Sequence, residues 1–309
     1  MAAAAATGLR SFLPAMTITR RTRHIASTVF FVGPILVLYT AFFFLPIALS
    51  FMYSLTDWDG LQKTFTFIGF ANYVEALTYD EDFLRSVRFT FTFALLAVVW
   101  TNVLALLLAL LVNLELSVKN VARALIFMPN VISMIVVGFL WRFLYRTIVP
   151  DVGRVLHIGF LEQTLLNLSD GIVLVVLVPE LWRSVGFVMI IYLAGLQEIP
   201  EDLRAAMIID GASSLQRLMR LTIPFLVPAF IASFFITTTG SLKVFDIVFS
   251  LTGGGPGKAS HTIAYNIYAD GLQAFRFGAG SAKAVLFAVM VLVVTAVQLK
   301  YLRSKEIHT

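Results

Sequence analysis

Ile199-Pro-Glu-Asp-Leu-Arg-Ala-Ala-Met-Ile-Ile-Asp-Gly-Ala-Ser213 is a polar island in an apolar chain. Hydrophobic runs long enough to cross a bilayer flank it on both sides. Of the 309 residues, 59% are hydrophobic and 13% charged, against about 25% charged in soluble domains. That much apolar surface cannot be hidden in one core of this size, so lipid is the natural solvent. The fold class this predicts is all-α, a polytopic membrane protein. The net charge of +5 reads as basic anchors at helix ends rather than a nucleic-acid face. The chain has no Cys, which excludes disulfides, thiolate metal sites and a Cys nucleophile.

Working outward from the island, six segments read as transmembrane helices: 25–55, 89–112, 124–144, 172–196, 224–242 and 282–301. The first follows Arg20-Arg21, but it is too long for a signal h-region and lacks a small-residue cleavage site. Pro34 and Pro46 are expected to kink it. Six spans place the N-terminal segment 1–24, the turn 113–123 with Glu115, the island with its extension (197–223) and the tail 304–309 on one side. Lys and Arg favour these segments, whereas Asp and Glu favour the opposite loops. The bias predicts both termini inside, N-in and C-in. Residues 25–303 read as a single membrane domain. No internal repeat is visible, which counts against a carrier built from two halves.

The island reads as a capped helix–turn–helix. Pro200 suits a first helical position, and Glu201 and Asp202 suit the helix dipole in the first turn. The helix runs to about Ile209. Asp210-Gly211 is turn chemistry. Ser213-Ser-Leu-Gln216 is a capping box opening a second helix, which carries Arg217 and Arg220 and meets Pro224. A plain connector needs fewer than about ten residues; this one runs from 197 to 223.

Here the chain resembles a known family. Leu193-Ala-Gly-Leu-Gln-Glu-Ile-Pro200, Asp210-Gly-Ala-Ser-Ser-Leu-Gln-Arg217 and Leu221-Thr-Ile-Pro224 look like the EAA-type cytoplasmic coupling loop of bacterial ABC importer permeases. Phe245-Asp-Ile-Val-Phe-Ser-Leu-Thr-Gly-Gly-Gly-Pro256, Phe275-Arg-Phe-Gly278 and Phe67-Ile-Gly-Phe-Ala-Asn-Tyr73 are similar to the carbohydrate-uptake branch, in its MalF-like or UgpA-like subunit. One position departs from the pattern: the family's Glu stands where this chain has Ala205, preceded by Arg204 and followed by Ala206-Met207. The resemblance implies a permease subunit of the bacterial inner membrane that forms half of a sugar pathway. It implies a second homologous permease, two ATP-binding subunits that hold ATP and Mg, and an extracytoplasmic substrate-binding protein. It assigns ATPase coupling to Pro200, Glu201, Asp202, Leu203, Arg204, Ala205, Ala206, Asp210 and Gly211. Closure of the ATPases would swing the membrane helices between two states. Glycerol phosphate is the alternative substrate, and an ion-coupled carrier the alternative class.

The chain carries no ATPase motif. Gly253-Gly-Gly-Pro-Gly-Lys258 lacks the Gly a P-loop needs, since Thr252 stands there, and Ala259 follows the Lys in place of Ser or Thr. His24, His157, His261 and His308 have no ligand spacing. Polar groups inside spans are the candidates for the pathway. Glu180 and Arg183 share a helix face and are expected to neutralise each other. Trp182 offers a face for a sugar ring, or an interfacial anchor. Phe187 on the same span joins the candidate set. Thr237, Thr238 and Ser241 supply hydroxyls, Thr239 lies among them, and Lys243 and Asp246 follow. Asn130 is a further candidate. The apolar spacing of Ile263, Ile267, Tyr268, Leu272 and Phe275 predicts an amphipathic helix in the loop 258–280.

Overall fold

A computed structural model describes residues 20–114 and 118–303. The segment 1–19, Glu115 and the tail 304–309 lie outside the described residues. Among the described residues no strand occurs, and a single antiparallel bridge joins Thr56 and Phe67. The chain falls into two units, residues 1–50 and 51–309.

The first unit holds α1 (Arg20–Tyr39), a π-turn (Thr40–Phe44) and the start of α2 (Leu45–Ser54). Pro34 lies within α1 without ending it. Pro46 lacks the N–H that an α-helix would direct to Phe42. The ladder widens into the π-turn immediately before it.

The second unit contains α3 (Ala71–Val74), α4 (Glu81–Val112), α5 (Lys119–Phe127), α6 (Met134–Phe143), α7 (Val149–Leu156) and α8 (Ile172–Gln197). There follow α9 (Glu201–Ile209), α10 (Ser214–Arg217), α11 (Ile223–Phe225), α12 (Val227–Leu242), α13 (Ile263–Tyr268) and α14 (Phe277–Arg303). Four helical stretches are long and apolar enough to cross a membrane: Thr28–Ser54, Glu81–Val112, Ile172–Gln197 and Phe277–Tyr301. Two further stretches qualify only as bent pairs, so the described residues offer four to six candidate spans. Where a span over 124–144 is expected, the helix breaks between Val131 and Met134 and turns by 96°. Pro129 sits in the 3-10 turn at that break, where it cannot continue the helical ladder. Where a span is expected to begin at Pro224, the chain bends by 64° between α11 and α12.

Helix α4 is the spine of this unit. The Asp80 side chain caps it by accepting the Phe83 N–H at 2.8 Å, and Glu81 and Asp82 occupy its first turn. Ala94, Ala97, Thr101, Ala105 and Ala109 are buried at three- and four-residue spacing along one face. Small residues let helix backbones approach closely where no hydrophobic drive separates protein from lipid. Ala105 and Ala109 accordingly pack in one cluster with Val185, Val188, Met189 and Tyr192 of α8.

Gly186 of α8 marks the tightest approach on that helix. A Cβ there would lie 2.2 Å from the Ile126 carbonyl oxygen and 2.8 Å from its carbon. The end of α5 thus presses its backbone onto α8. Gly186→Val is expected to push the two apart and destabilise the chain by roughly 1–3 kcal/mol, the range for overpacked sites. A lower thermal unfolding midpoint in detergent would show it; an unchanged midpoint would disprove the contact.

Short polar ties fix the remaining segments. Asn72, buried, donates to the Ser54 and Thr56 carbonyls at 2.9 and 2.8 Å. The Tyr73 and Ser54 hydroxyls lie 2.6 Å apart. Arg276 pairs with Glu75 at 2.5 Å, and Lys258 with Asp82 at 2.5 Å. Lys283, 2% exposed, donates to Asp80 at 2.5 Å, to Asn266 at 3.0 Å and to Asp270. Of the residues expected on an amphipathic helix in 258–280, Ile263 and Ile267 pack with Phe83, Leu286 and Phe287. Leu272 and Phe275 lie beyond α13 and are exposed.

Candidate functional site

Two features stand on the same two helices. One is a cavity walled by α4, α8 and α12. The other is the capped loop into which α8 runs and from which α12 emerges.

The cavity measures about 310 Å³. Thr101 of α4, Asn130 at the helix break, Glu180, Arg183, Ser184, Phe187 and Val188 of α8, and Ile236, Thr237, Gly240 and Ser241 of α12 line it. Of the expected pathway residues, Phe187, Thr237 and Ser241 are therefore brought together. Trp182 is not among them: its ring packs edge-on against Trp141, with centroids 6.0 Å apart. Thr238 faces α14 and accepts the Gln298 side-chain amide at 3.2 Å. Lys243 and Asp246 follow the end of α12, exposed and off the cavity wall.

The expected neutralising pair has a different geometry. Glu180 and Arg183 both line the cavity, yet no ion pair within 4.0 Å joins them among the described residues. Arg183 Nη1 makes only long contacts, 3.4 Å to the Asn130 carbonyl and 3.5 Å to its side-chain oxygen. Its Nε is buried with no partner. Unpaired donors at a cavity wall are groups that a bound oxygen can satisfy.

Thr101 and Ser184, whose hydroxyls are 3.3 Å apart, were not singled out by sequence. Nor were Asn102, Tyr192 and Ser233, which lie one step further along the same helices. Their common signal is a hydroxyl or amide inside an apolar run.

The loop itself follows its local chemistry. Pro200 takes the N-cap position rather than the first helical position, with φ −58° and ψ 133°. Glu201 and Asp202 occupy the first turn of α9. The Gly211 N–H bonds the Ile208 carbonyl at 3.0 Å and the Ala212 N–H bonds that of Met207 at 2.9 Å, the paired bonds of a Schellman terminus. Gly211 sits at φ +74°, which a residue with a Cβ rarely adopts. The capping box forms: Gln216 Oε1 accepts the Ser213 N–H at 2.8 Å, and Ser213 Oγ accepts the Gln216 N–H at 3.3 Å.

Arg204 does not point outward. Its Nη2 donates to the Leu196 carbonyl at 2.7 Å, satisfying an orphan acceptor in the last turn of α8. Leu203, Ala205, Ala206, Asp210 and Gly211 are exposed. So are Ile208, Ile209, Leu215 and Met219, at 58, 84, 67 and 59%. Both helices of the loop thus carry exposed apolar side chains. The sequence reading, centred on the acidic turn, missed them.

The family described as "Binding-protein-dependent transport system inner membrane component" matches residues 101–304. The probable starch degradation products transport system permease protein AmyD of Thermoanaerobacterium thermosulfurigenes is 35% identical over 278 residues, covering 90% of this chain and 94% of that protein. The sn-glycerol-3-phosphate transport system permease protein UgpA of Agrobacterium fabrum is 31% identical over 285 residues, covering 90% and 94%. Among solved structures, a chain of a bacterial ABC transporter involved in the import of the acidic polysaccharide alginate superposes with a TM-score of 0.78. It is 23% identical and covers 93% of this chain and 99% of that one, a likeness of fold.

Proposed function

We infer the function of this chain from one premise: it belongs to the family of binding-protein-dependent transport system inner membrane components. It is the transmembrane permease subunit of an ATP-driven importer for sugars. It spans a bacterial inner membrane six times, the two bent pairs each counting as one span, with both termini inside. It forms half of the pathway, and a second homologous permease forms the other half. Two ATP-binding subunits hold the ATP and Mg, and an external binding protein delivers the sugar. The chain itself hydrolyses nothing.

The observation that carries this reading is continuity. Two of the helices that wall the cavity, α8 and α12, run directly into the capped helix pair of residues 201–225. A partner that moves the pair therefore moves the walls. With Ala205 in place of a carboxylate, apolar contact through Ile208, Ile209, Leu215 and Met219 supports the grip on the ATPase. Burying such side chains stabilises a complex by roughly 25 cal/mol per Å².

The cavity's charges favour a neutral sugar over glycerol phosphate. One cation, Arg183, faces one anion, Glu180, and Lys243 lies off the wall. An anionic ligand beside Glu180 would meet like charge in a poorly screened site.

The test is purification followed by reconstitution. A complex containing an ATPase, whose hydrolysis rises with a sugar-loaded binding protein, is the expected result. Sugar uptake into vesicles by this chain alone would overturn the reading.

A further inference from the structure

We propose that Tyr192 is the positioning residue of a polar seal that closes the cavity on the side of the coupling loop. The proposal rests on the cavity being part of the pathway.

Four buried residues from three helices form a circuit, closed through the Ser233 main-chain carbonyl. The Tyr192 hydroxyl of α8 donates to Asn102 Oδ1 of α4 at 2.6 Å and accepts from Ser233 Oγ of α12 at 2.8 Å. Asn102 Nδ2 donates to Thr237 Oγ1 at 3.1 Å and to the Val98 carbonyl at 2.7 Å. Thr237 Oγ1 in turn donates to the Ser233 carbonyl at 2.7 Å. Every donor and acceptor group in the circuit has a partner. Exposure is 2% for Asn102, 0% for Tyr192 and Ser233, and 8% for Thr237.

The position is specific. On α4, Asn102 follows the cavity residue Thr101. On α8, Tyr192 lies one turn past Val188, toward Gln197. On α12, Ser233 lies one turn before Thr237, toward the loop. On α8 and α12 the circuit is therefore the next layer between cavity and loop, about 5–6 Å along the axis, and on α4 it is the adjacent residue, about 1.5 Å further on. Thr237 belongs to both, lining the cavity and closing the circuit. Beyond it the path is filled by Ala105, Ala109, Leu196, Leu226 and Ala229.

A seal built this way has two stable conditions. With the helices together, the four groups satisfy one another and the layer is dry. With the helices apart, each group needs water, because an unpaired polar group in an apolar surrounding is costly. A purely apolar layer would resist that wetting. A polar one closes with defined geometry and opens by hydration. Tyr192, like Asn102, bonds both other helices, so removing its hydroxyl cuts two of the three interhelical bonds. Its ring stays packed edge-on against Phe230, with centroids 5.0 Å apart.

The natural chain has no Cys, so one introduced thiol is the only one that labels on this chain. Ser241→Cys places it in the cavity. The complete transporter, in sealed vesicles with its ATPase side outward, a non-hydrolysable ATP analogue outside and binding protein enclosed where it is used, is treated from outside with a membrane-impermeant maleimide. Adding Tyr192→Phe is expected to raise the labelling rate about thirtyfold, the equivalent of two lost hydrogen bonds. Ser233→Ala, which cuts one bond, raises it less. In transport assays without the Cys, Tyr192→Phe lowers the maximal rate and leaves KM unchanged, because the hydroxyl does not line the cavity. Equal labelling with and without Tyr192→Phe, in complexes of equal yield, overturns the proposal. Protection of Ser241→Cys by saturating sugar-loaded binding protein separates the two readings. If protection is seen but labelling is unaffected by Tyr192→Phe, the seal is wrong and the pathway stands. If protection is absent, the pathway reading itself fails, and the seal with it.

Discussion

Lys283→Met will destabilise the folded chain by about 3–5 kcal/mol, the cost of breaking a buried ion pair by removing one partner. The thermal midpoint of the extracted protein should fall sharply, and its level in membranes with it. Lys283 is 2% exposed, and its ammonium lies 5.3 Å from the centre of the Phe83 ring. Its three oxygen partners come from three places: Asp80 before α4, Asn266 in α13 and Asp270 in the following π-turn. Methionine of similar volume keeps the packing and leaves two carboxylates facing each other without a cation. Burial pushes the Asp80 carboxyl up. The Lys283 hydrogen bond, the Phe83 N–H and the Lys283 charge outweigh it, so the pKa lies below its ordinary value. A depressed carboxylate stabilises the fold at pH above its unfolded pKa, and the contribution disappears as pH falls through the folded one. The wild-type protein should therefore lose stability at the acid end of the carboxylate range, and Lys283→Met should flatten that acid limb. A midpoint unchanged by the substitution would mean that the three elements hold together without the cluster.

Lys283 also shows why part of the structure was not legible in the sequence. It stands at the start of an apolar run, and Asp80 lies 203 residues away. No local pattern links them. The capped loop was legible for the opposite reason. Ser213 and Gln216 satisfy each other three residues apart, and Asp210-Gly211 ends a helix by backbone geometry alone. The cavity lies between these cases. Thr237, Thr238 and Thr239 read as one run of hydroxyls, yet they go three ways. Thr237 joins the buried circuit, Thr238 meets Gln298, and Thr239 bonds back to the Phe235 carbonyl at 2.8 Å. Consecutive helical residues point about 100° apart, and only the packing of neighbours decides which face turns inward. The break at Pro129 was visible as a residue but not as a 96° turn, because a proline kink takes its angle from what the chain packs against afterwards.

Arg183→Met will cut uptake by raising the substrate concentration needed, by roughly tenfold to a hundredfold, since one lost hydrogen bond to a charged group is worth about 1.5–3 kcal/mol. Complex assembly should be unchanged, because among the described residues its hydrogen bonds to protein are the two long ones to Asn130. The guanidinium carries five donors, and its buried Nε has no partner. A group left in that condition at a cavity wall gains more from a ligand oxygen than a satisfied one would. Glu180, on the same wall and one turn away, offers acceptors to hydroxyl protons. The two together match the alternating donors and acceptors of a polyol. Their separate replacement decides the substrate's charge. For a neutral sugar, Glu180→Gln weakens uptake, because a strong acceptor becomes a weaker one. For a phosphate-bearing substrate the sign reverses, since removing the like charge strengthens it. Uptake of a panel of sugars and of glycerol phosphate into cells carrying each variant gives that sign directly. If Arg183→Met leaves the concentration dependence where it was, the unfilled donors have another use, and the cavity is not where the sugar is read.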